Sequence, residues 1–429
     1  MKTFILAWIL LGAVYLQGEL FVLNTISQTI SRIELTSETV NNSFAVTGLY
    51  PNQMVMANGY IYLTNSGDNN IYKIDGESGT VSGTIVIENY SNPYDIVIHE
   101  GFAYVTGLLS NRVYKIDLAS ETVAAELTVG TAPQGLLIYN DHLYVANSGF
   151  QYPDYLPGEL TIIDLPGFTV SSTLPVPVNP QRMIVDDYGS LHLVCTGNYA
   201  DETGKIAVID TAGHQITDII PLTNYPINIV KTPGGRVYVG DSFGGGVFVY
   251  ETPELGIIHD SGSLFSSGGS ALAVYDQWLL IADAGTYSTN SVIRVYDFEE
   301  ELVTTYQTAI GAIDITFSPE ENTQAEEIIA NSHSISVFPN PFRGSTIIDF
   351  HPGDSGRTSF SGDSFSGGEH QITIFNLKGQ KVREIVTTEN YVVWDGLDGS
   401  GNRSAAGIYL FKVNNNQGIS SKGKLTLLR

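Results

Sequence analysis

The sequence predicts an all-β chain: a seven-bladed β-propeller followed by a small immunoglobulin-like β-sandwich. Three observations predict it. First, a strand–turn–strand phrase recurs along residues 19–318 at intervals of 40 to 48 residues, the spacing of a four-stranded propeller blade. Second, the repeated segments alternate at period two and are rich in Val, Ile and Tyr, which disfavours a helical repeat. Third, the phrase stops before residue 335. The remaining short alternating strands fit a sandwich.

Each copy is anchored by an aromatic in its first strand and an acid that ends its second. The pairs are Phe21 with Glu34, Tyr62 with Asp75, Tyr104 with Asp117, and Tyr144 with Asp164. His192 with Asp210, Tyr238 with Glu251 and Leu280 with Asp297 complete the series. Between copies a proline precedes an apolar strand, as in YPNQMVM, NPYDIVI, APQGLLI, NPQRMIV and YPINIVK. GSALAVY and GAIDITF are weaker versions. A further strand follows each acid, as in TVSGTIVI and TVAAELTV. Every unit therefore carries an inner, an aromatic, an acid-ended and an outer strand. The repeated acids are expected to cap equivalent turns.

The first copy lacks its inner strand, and the last inner strand, GAIDITF, lacks its blade. Pairing them would close the ring and remove an exposed sheet edge. The YVTN, YVAN and YVGD strands resemble those of YVTN-repeat propellers, secreted bacterial seven-bladed proteins. The resemblance covers residues 19–318 and implies a fold, not an activity.

Composition narrows the setting. The net charge is −25, which repels nucleic-acid phosphates. Residues 1–334 hold 10 Lys/Arg against 37 Asp/Glu, whereas 335–429 hold 10 against 8, so two units with different jobs are expected. Cys195 is the one cysteine. It excludes an intramolecular disulfide and reads as a buried small hydrophobe. Residues 1–18, MKTFILAWILLGAVYLQG, have the charged start, apolar core and small end residue of a secretory signal peptide. No later stretch has membrane-spanning length, so the mature chain is expected to be soluble and without a membrane span; a monomer is expected as well.

Residues 319–334 are polar and acidic and read as a linker. Beyond them, 335–429 closely resemble the C-terminal sorting domain of type IX secretion substrates (type A). The matching residues are Phe338-Pro339-Asn340-Pro341, Trp394-Asp395-Gly396, Gly407-Ile408-Tyr409 and the basic end with Lys422 and Lys424. The resemblance implies the type IX machinery as partner. It also implies export across the outer membrane by way of the periplasm, often with loss of the tail and attachment to the surface. Residues 351–370 are longer and richer in Gly and Ser than such a loop needs, which leaves the strand pairing there open.

Chemistry has two candidate places. In a four-stranded meander, the aromatic-to-acid turns and the outer-to-inner connections share one face. Its loops carry Tyr152, Tyr155, Tyr199, Phe243 and Tyr287, with Asp154, Asp201 and Glu202 nearby. Such aromatics stack on sugar rings or peptide side chains, or simply pack the loops together. The second place is the channel mouth, where the inner strands begin with Gln53, Asp95, Gly135, Arg182, Asn228, Ala271 and Asp314. This ring could orient a polar ligand, or Arg182 could only balance Asp95 and Asp314.

Other motifs fail. GDSFG (240–244) fits a nucleophile pattern but not the strand-to-helix turn it needs. The eight histidines are scattered, and WDGLDGSGN lacks the spacing of a calcium loop. No cofactor is called for. The reading is a secreted or surface binding protein for an extracellular glycan, peptide or protein. Two alternatives remain: a lactonase- or lyase-type enzyme using Arg182, Asp95, Asp314 and His142, often with a divalent metal in related propellers, and a surface-layer or adhesin component.

Overall fold

In the computed structural model, the described residues are 18–241, 243–318, 336–338, 343–349, 370–376, 381–388, 391–405, 407–415 and 420–427. The predicted signal peptide (all but Gly18), the linker and Pro339-Asn340-Pro341 lie outside them, as do residues 351–369. The chain divides into two compact units, Met1–Thr323 and Gln324–Arg429. Every helix or strand element among the described residues is a strand.

The first unit contains seven four-stranded antiparallel sheets among the described residues. We call them blades 1 to 7. Blades 1 to 6 span residues 51–86, 93–128, 133–176, 180–221, 226–259 and 271–308. Blade 7 joins Ala312–Phe317 to the three strands of residues 19–46. There Val22 pairs with Ile315 and Phe21 with Thr316, so the two ends of the propeller region meet in one sheet. The inner strands contact one another in a closed cycle, from blade 7 to blade 1 and around to blade 7 again.

The aromatic strands do not alternate in burial. Glu19–Asn24, Tyr60–Asn65, Phe102–Gly107 and His142–Asn147 are each buried from their second residue onward on both faces. Seven apolar clusters explain this, each lying between consecutive blades. Ile61 and Leu63 pack toward blade 7, whereas their neighbour Tyr62 packs toward blade 2. Tyr104, Tyr144 and Tyr238 likewise fill the gap to the following blade. Each fully buried Ile or Leu contributes about 1.5–3 kcal/mol, and no blade can make these contacts alone. Outer strands such as Thr122–Thr128 alternate instead, because one face meets solvent.

Polar stitches run the same way. The hydroxyls of Thr64, Thr106 and Thr196 donate to the carbonyls of Tyr94, Gln134 and Pro226 on the next inner strand, at 2.7–2.8 Å. The repeated acids cap turns: Asp75 accepts from Ser78 N–H, Asp117 from Ser120, Asp164 from Gly167 and Asp210 from Gly213. Cys195 is buried, and burial pushes its thiol pKa up.

His192 takes the aromatic position in blade 4. It is fully buried, with Nδ1 2.8 Å from Tyr250 Oη and Nε2 3.3 Å from Asp186 Oδ2. Burial depresses its pKa below 6.5, against the opposing pull of Asp186. The unfolded chain therefore takes up this proton first. The stability this provides is present above pH 6.5 and lost as pH falls below it. Thermal unfolding between about pH 8 and about pH 5 checks this. Tm is expected to fall more steeply for the natural chain than for His192→Leu; parallel curves would contradict it.

The second unit pairs a three-stranded sheet (Ser336–Phe338, Thr346–Asp349, Tyr391–Trp394) with a four-stranded one. The four-stranded order is Lys381–Thr387, His370–Asn376, Gly407–Asn415, Ser420–Leu427. Strands of both sheets bury one core around Trp394, with Ile348, Ile372, Phe411 and Leu425.

Candidate functional site

The site begins where the seven inner strands start. A cavity of about 240 Å³ opens there, walled by residues of every blade. Gln53, Asp95, Gly135, Arg182 and Asn228 line it as the sequence predicts. In blades 6 and 7 the wall is Ser270 and Ile313, while Ala271 and Asp314 are buried beside them. The prolines make this geometry. Proline fixes φ at the first position of a strand, and its missing N–H is tolerated there. The preceding residues Tyr50, Asn92, Ala132 and Asn179 have φ of 50–60°, which turns the chain sharply from rim to axis.

Gly135 is required by close approach. A Cβ there would lie 1.9 Å from the carbonyl oxygen of Gln181 on the adjacent inner strand. Next to it, Arg182 reaches across the axis. Its Nη2 donates to Gln53 Oε1 of blade 1 and lies 3.3 Å from Asp314 Oδ1 of blade 7.

Both carboxylates are already engaged. Asp95 accepts from the N–H groups of Ile96 and Leu136, and Asp314 accepts from that of Met54, each at 2.8 Å. Asp95 and Asp314 thus tie their own blades to the next. Burial pushes the Asp95 pKa up to about 6, with Arg182 opposing the shift. Burial also raises that of Asp314, again against Arg182. Desolvation works against the charge on Arg182, yet Asp314 and Asp95 outweigh it and hold its pKa above the ordinary value.

The aromatic loops form a chain of rings. Phe150 lies 5.2 Å from Tyr155, Tyr155 6.2 Å from Tyr199, and Tyr199 5.0 Å from Tyr225 and 5.9 Å from Phe243. Phe243 is 66% exposed and Tyr199 40%. Tyr152, 87% exposed, stands at the tip of the hairpin that carries Phe150 and Tyr155. Tyr287 does not join this shelf; it lines the cavity from blade 6. Tyr94 also lines the cavity, and its pKa is pushed up to about 12, by burial first, with Arg182 opposing and Tyr199 and Tyr155 adding to the rise.

Some expected neighbours are elsewhere. His142 begins its strand opposite Asp164, at the acid-turn end of blade 3, with its ring 6.0 Å from His214. The structure therefore does not bring it to Arg182, Asp95 and Asp314. Asp201 is held by Asn198, and Glu202 lies 3.3 Å from Lys205. Gly240 and Asp241 end a strand and lead into a turn, with Asp241 accepting from Phe243 and Gly245 N–H groups. Sequence reasoning did not single out Phe150, Tyr94 and Tyr225. The last two flank prolines, in NPYD and NYPI, which was their available signal.

In the second unit Trp394 and Tyr409 form the core, with ring centres 5.0 Å apart. Asp395 and Asp398 accept backbone N–H groups within the turn, and Gly396 has φ 72°. Gly407 opens a strand, Phe338 closes another, and Lys422 and Lys424 lie in the last.

These features define an all-β protein with a propeller and a separate C-terminal unit. Residues 336–427 match the family described as the secretion system C-terminal sorting domain. That domain marks the chain for type IX export, to the cell surface or the medium. No curated protein matches the sequence. Among solved structures, the chain is similar to hydrazine synthase of Kuenenia stuttgartiensis (16% identity, TM-score 0.51). That similarity covers 62% of this chain and 89% of the other. It is also similar to a quinoprotein alcohol dehydrogenase-like protein of Bacteroides thetaiotaomicron (16%, TM-score 0.51), over 70% of this chain and 78% of that one. At such identity the likeness is one of fold, a β-propeller. No helix among the described residues is long and apolar enough to cross a membrane.

Proposed function

We propose that the protein is a secreted or surface-displayed binding protein. Its ligand sits on the loop face, where the cavity of Arg182, Gln53, Asp95 and Asn228 meets the shelf of Tyr155, Tyr199, Tyr225 and Phe243. The leader of residues 1–18 would carry it to the periplasm, and the tail would carry it onward. One observation supports the reading above others: the same loop face carries both a polar cavity and a five-ring aromatic shelf. Rigid scaffolds commonly present recognition in this form. The enzyme alternative loses one of its four expected residues, because His142 lies opposite Asp164 at the acid-turn end of blade 3 and not beside Arg182, Asp95 and Asp314.

The test is retention of ligands from a mixed oligosaccharide and peptide library on the immobilised, exported chain. Phe243→Ala and Tyr155→Ala are each expected to weaken retention about tenfold, a typical cost for losing a buried aromatic contact. Tyr188→Ala, 68% exposed in the hairpin between Pro180–Val185 and Ser190–Cys195 at the acid-turn end, should change nothing. Equal retention by all three variants would move the site elsewhere.

A further inference from the structure

Charge bookkeeping at the cavity narrows the ligand. One guanidinium faces two carboxylates, and the three are joined to one another or to backbone N–H groups. A carboxylate or phosphate ligand would have to share Arg182 with Asp314 and Gln53 while approaching Asp95. A cationic ligand would find the carboxylate oxygens already accepting hydrogen bonds. A buried charge is costly unless it is paired; here Arg182 is already shared by Asp314 and Gln53, and each carboxylate oxygen already accepts one hydrogen bond. The remaining polar lining is neutral: Asn52, Gln53, Gln181, Asn228, Tyr94 and Tyr287. Asn228 Nδ2 donates to Ser270 O and Gln181 Nε2 to Asn179 Oδ1, so that each of these two amides is held in place and keeps its carbonyl or second N–H for a neutral partner.

Size and shape narrow it further. About 240 Å³ lies below the ~300–1,000 Å³ of pockets for drug-sized ligands. It suits one ring-sized group rather than a whole ligand. Beyond the cavity, the rings of Tyr155, Tyr199 and Phe243 follow one another at centre distances of 6.2 and 5.9 Å, with hydroxyls on the two tyrosines. A pyranose is complementary to both parts. Its hydroxyls exchange neutral hydrogen bonds, and its C–H face stacks on aromatic rings.

We infer that the ligand is a neutral saccharide chain, with one sugar in the cavity at Arg182, Gln53 and Asn228 and the next ones laid along Tyr155, Tyr199 and Phe243. This inference rests on the loop-face binding reading and adds the ligand class to it.

Calorimetry and an oligosaccharide array on the full exported chain test it. The probes are neutral hexasaccharides (gluco-, xylo-, manno- and N-acetylchito-), acidic oligogalacturonate, cationic deacetylated chitohexaose and a mixed peptide library. A neutral chain is expected to bind, with affinity nearly unchanged by added salt, since no ion pair is screened. Phe243→Ala should weaken it about tenfold or more. The side chain is largely exposed, so the fold should survive the change. Binding only by a charged oligosaccharide, falling steeply with salt, would overturn the neutral class. Binding only by a peptide, weakened by Phe243→Ala, would overturn the saccharide but keep the site. A ligand indifferent to Phe243→Ala and Tyr155→Ala, or no ligand at all, would overturn both.

Discussion

A chain ending at Ser334 is expected to accumulate inside the cell, while the full chain reaches the surface or the medium. The deletion removes the whole unit that matches the sorting family, including the Trp394 core and the strand with Lys422 and Lys424. It leaves every blade strand in place. The effect should be nearly all-or-none, because an address is read or not read. Fractionation with antibody detection is the measurement: the exported fraction should fall to the level of a cytosolic marker. Single substitutions test the same unit more gently. Trp394→Ala removes a fully buried side chain and costs about 3–5 kcal/mol. In a small unit that is enough to unfold a large share of molecules. Continued export of the deletion at the natural level would show that the address lies elsewhere.

The second large effect concerns ring closure. Residues 19–318 and 19–311 differ by seven residues, yet they are expected to behave as a folded protein and an unfolded or aggregated one. The shorter chain lacks Ala312–Phe317, the inner strand paired along Glu19–Asn24. Leu20, Phe21 and Val22, fully buried in the ring, would sit at an open edge. Unpaired edges of this kind invite association between chains. Asp314 would also be lost, taking its bond to Met54 N–H in the next blade and the partner of Arg182. Together these losses approach the ~5–15 kcal/mol that stabilises a whole domain. Thermal unfolding followed by light scattering decides it. A cooperative, equally hot transition for both chains would mean that the sheet does not need its last strand.

Most of the scaffold was legible because its cause is local and repeated. The aromatic of each second strand fills one gap, the acid caps one turn and the proline starts one inner strand, so the same residue types return at fixed places. His192 shows the tolerance of the code: at the aromatic position it keeps the burial but needs Asp186 and Tyr250 to satisfy its ring nitrogens. The site was legible only in part. The ring of inner-strand starts followed from the prolines. The partners of Arg182 did not, because Gln53 and Asp314 lie 129 and 132 residues away and meet it only across the closed axis. The constraint on Gly135, the backbone of the neighbouring strand, is likewise set by a residue of another blade. The aromatic shelf draws rings from blades 3, 4 and 5 and from a pre-proline loop. Loop sequence carries no repeat that would announce such a meeting. His142 was misplaced for the opposite reason: its side chain is reactive in kind, but its strand register puts it at the other end of the blade.

Recognition on the loop face is the claim on which the functional account turns, and amide hydrogen exchange of the exported chain with and without its retained ligand measures it directly. The account predicts slowed exchange at residues 150–156, 197–203 and 240–245 and at the inner-strand starts near 53, 182 and 228. Slowing confined to the acid turns, near 75–80, 117–122 and 210–215, would place the ligand on the opposite face and contradict it.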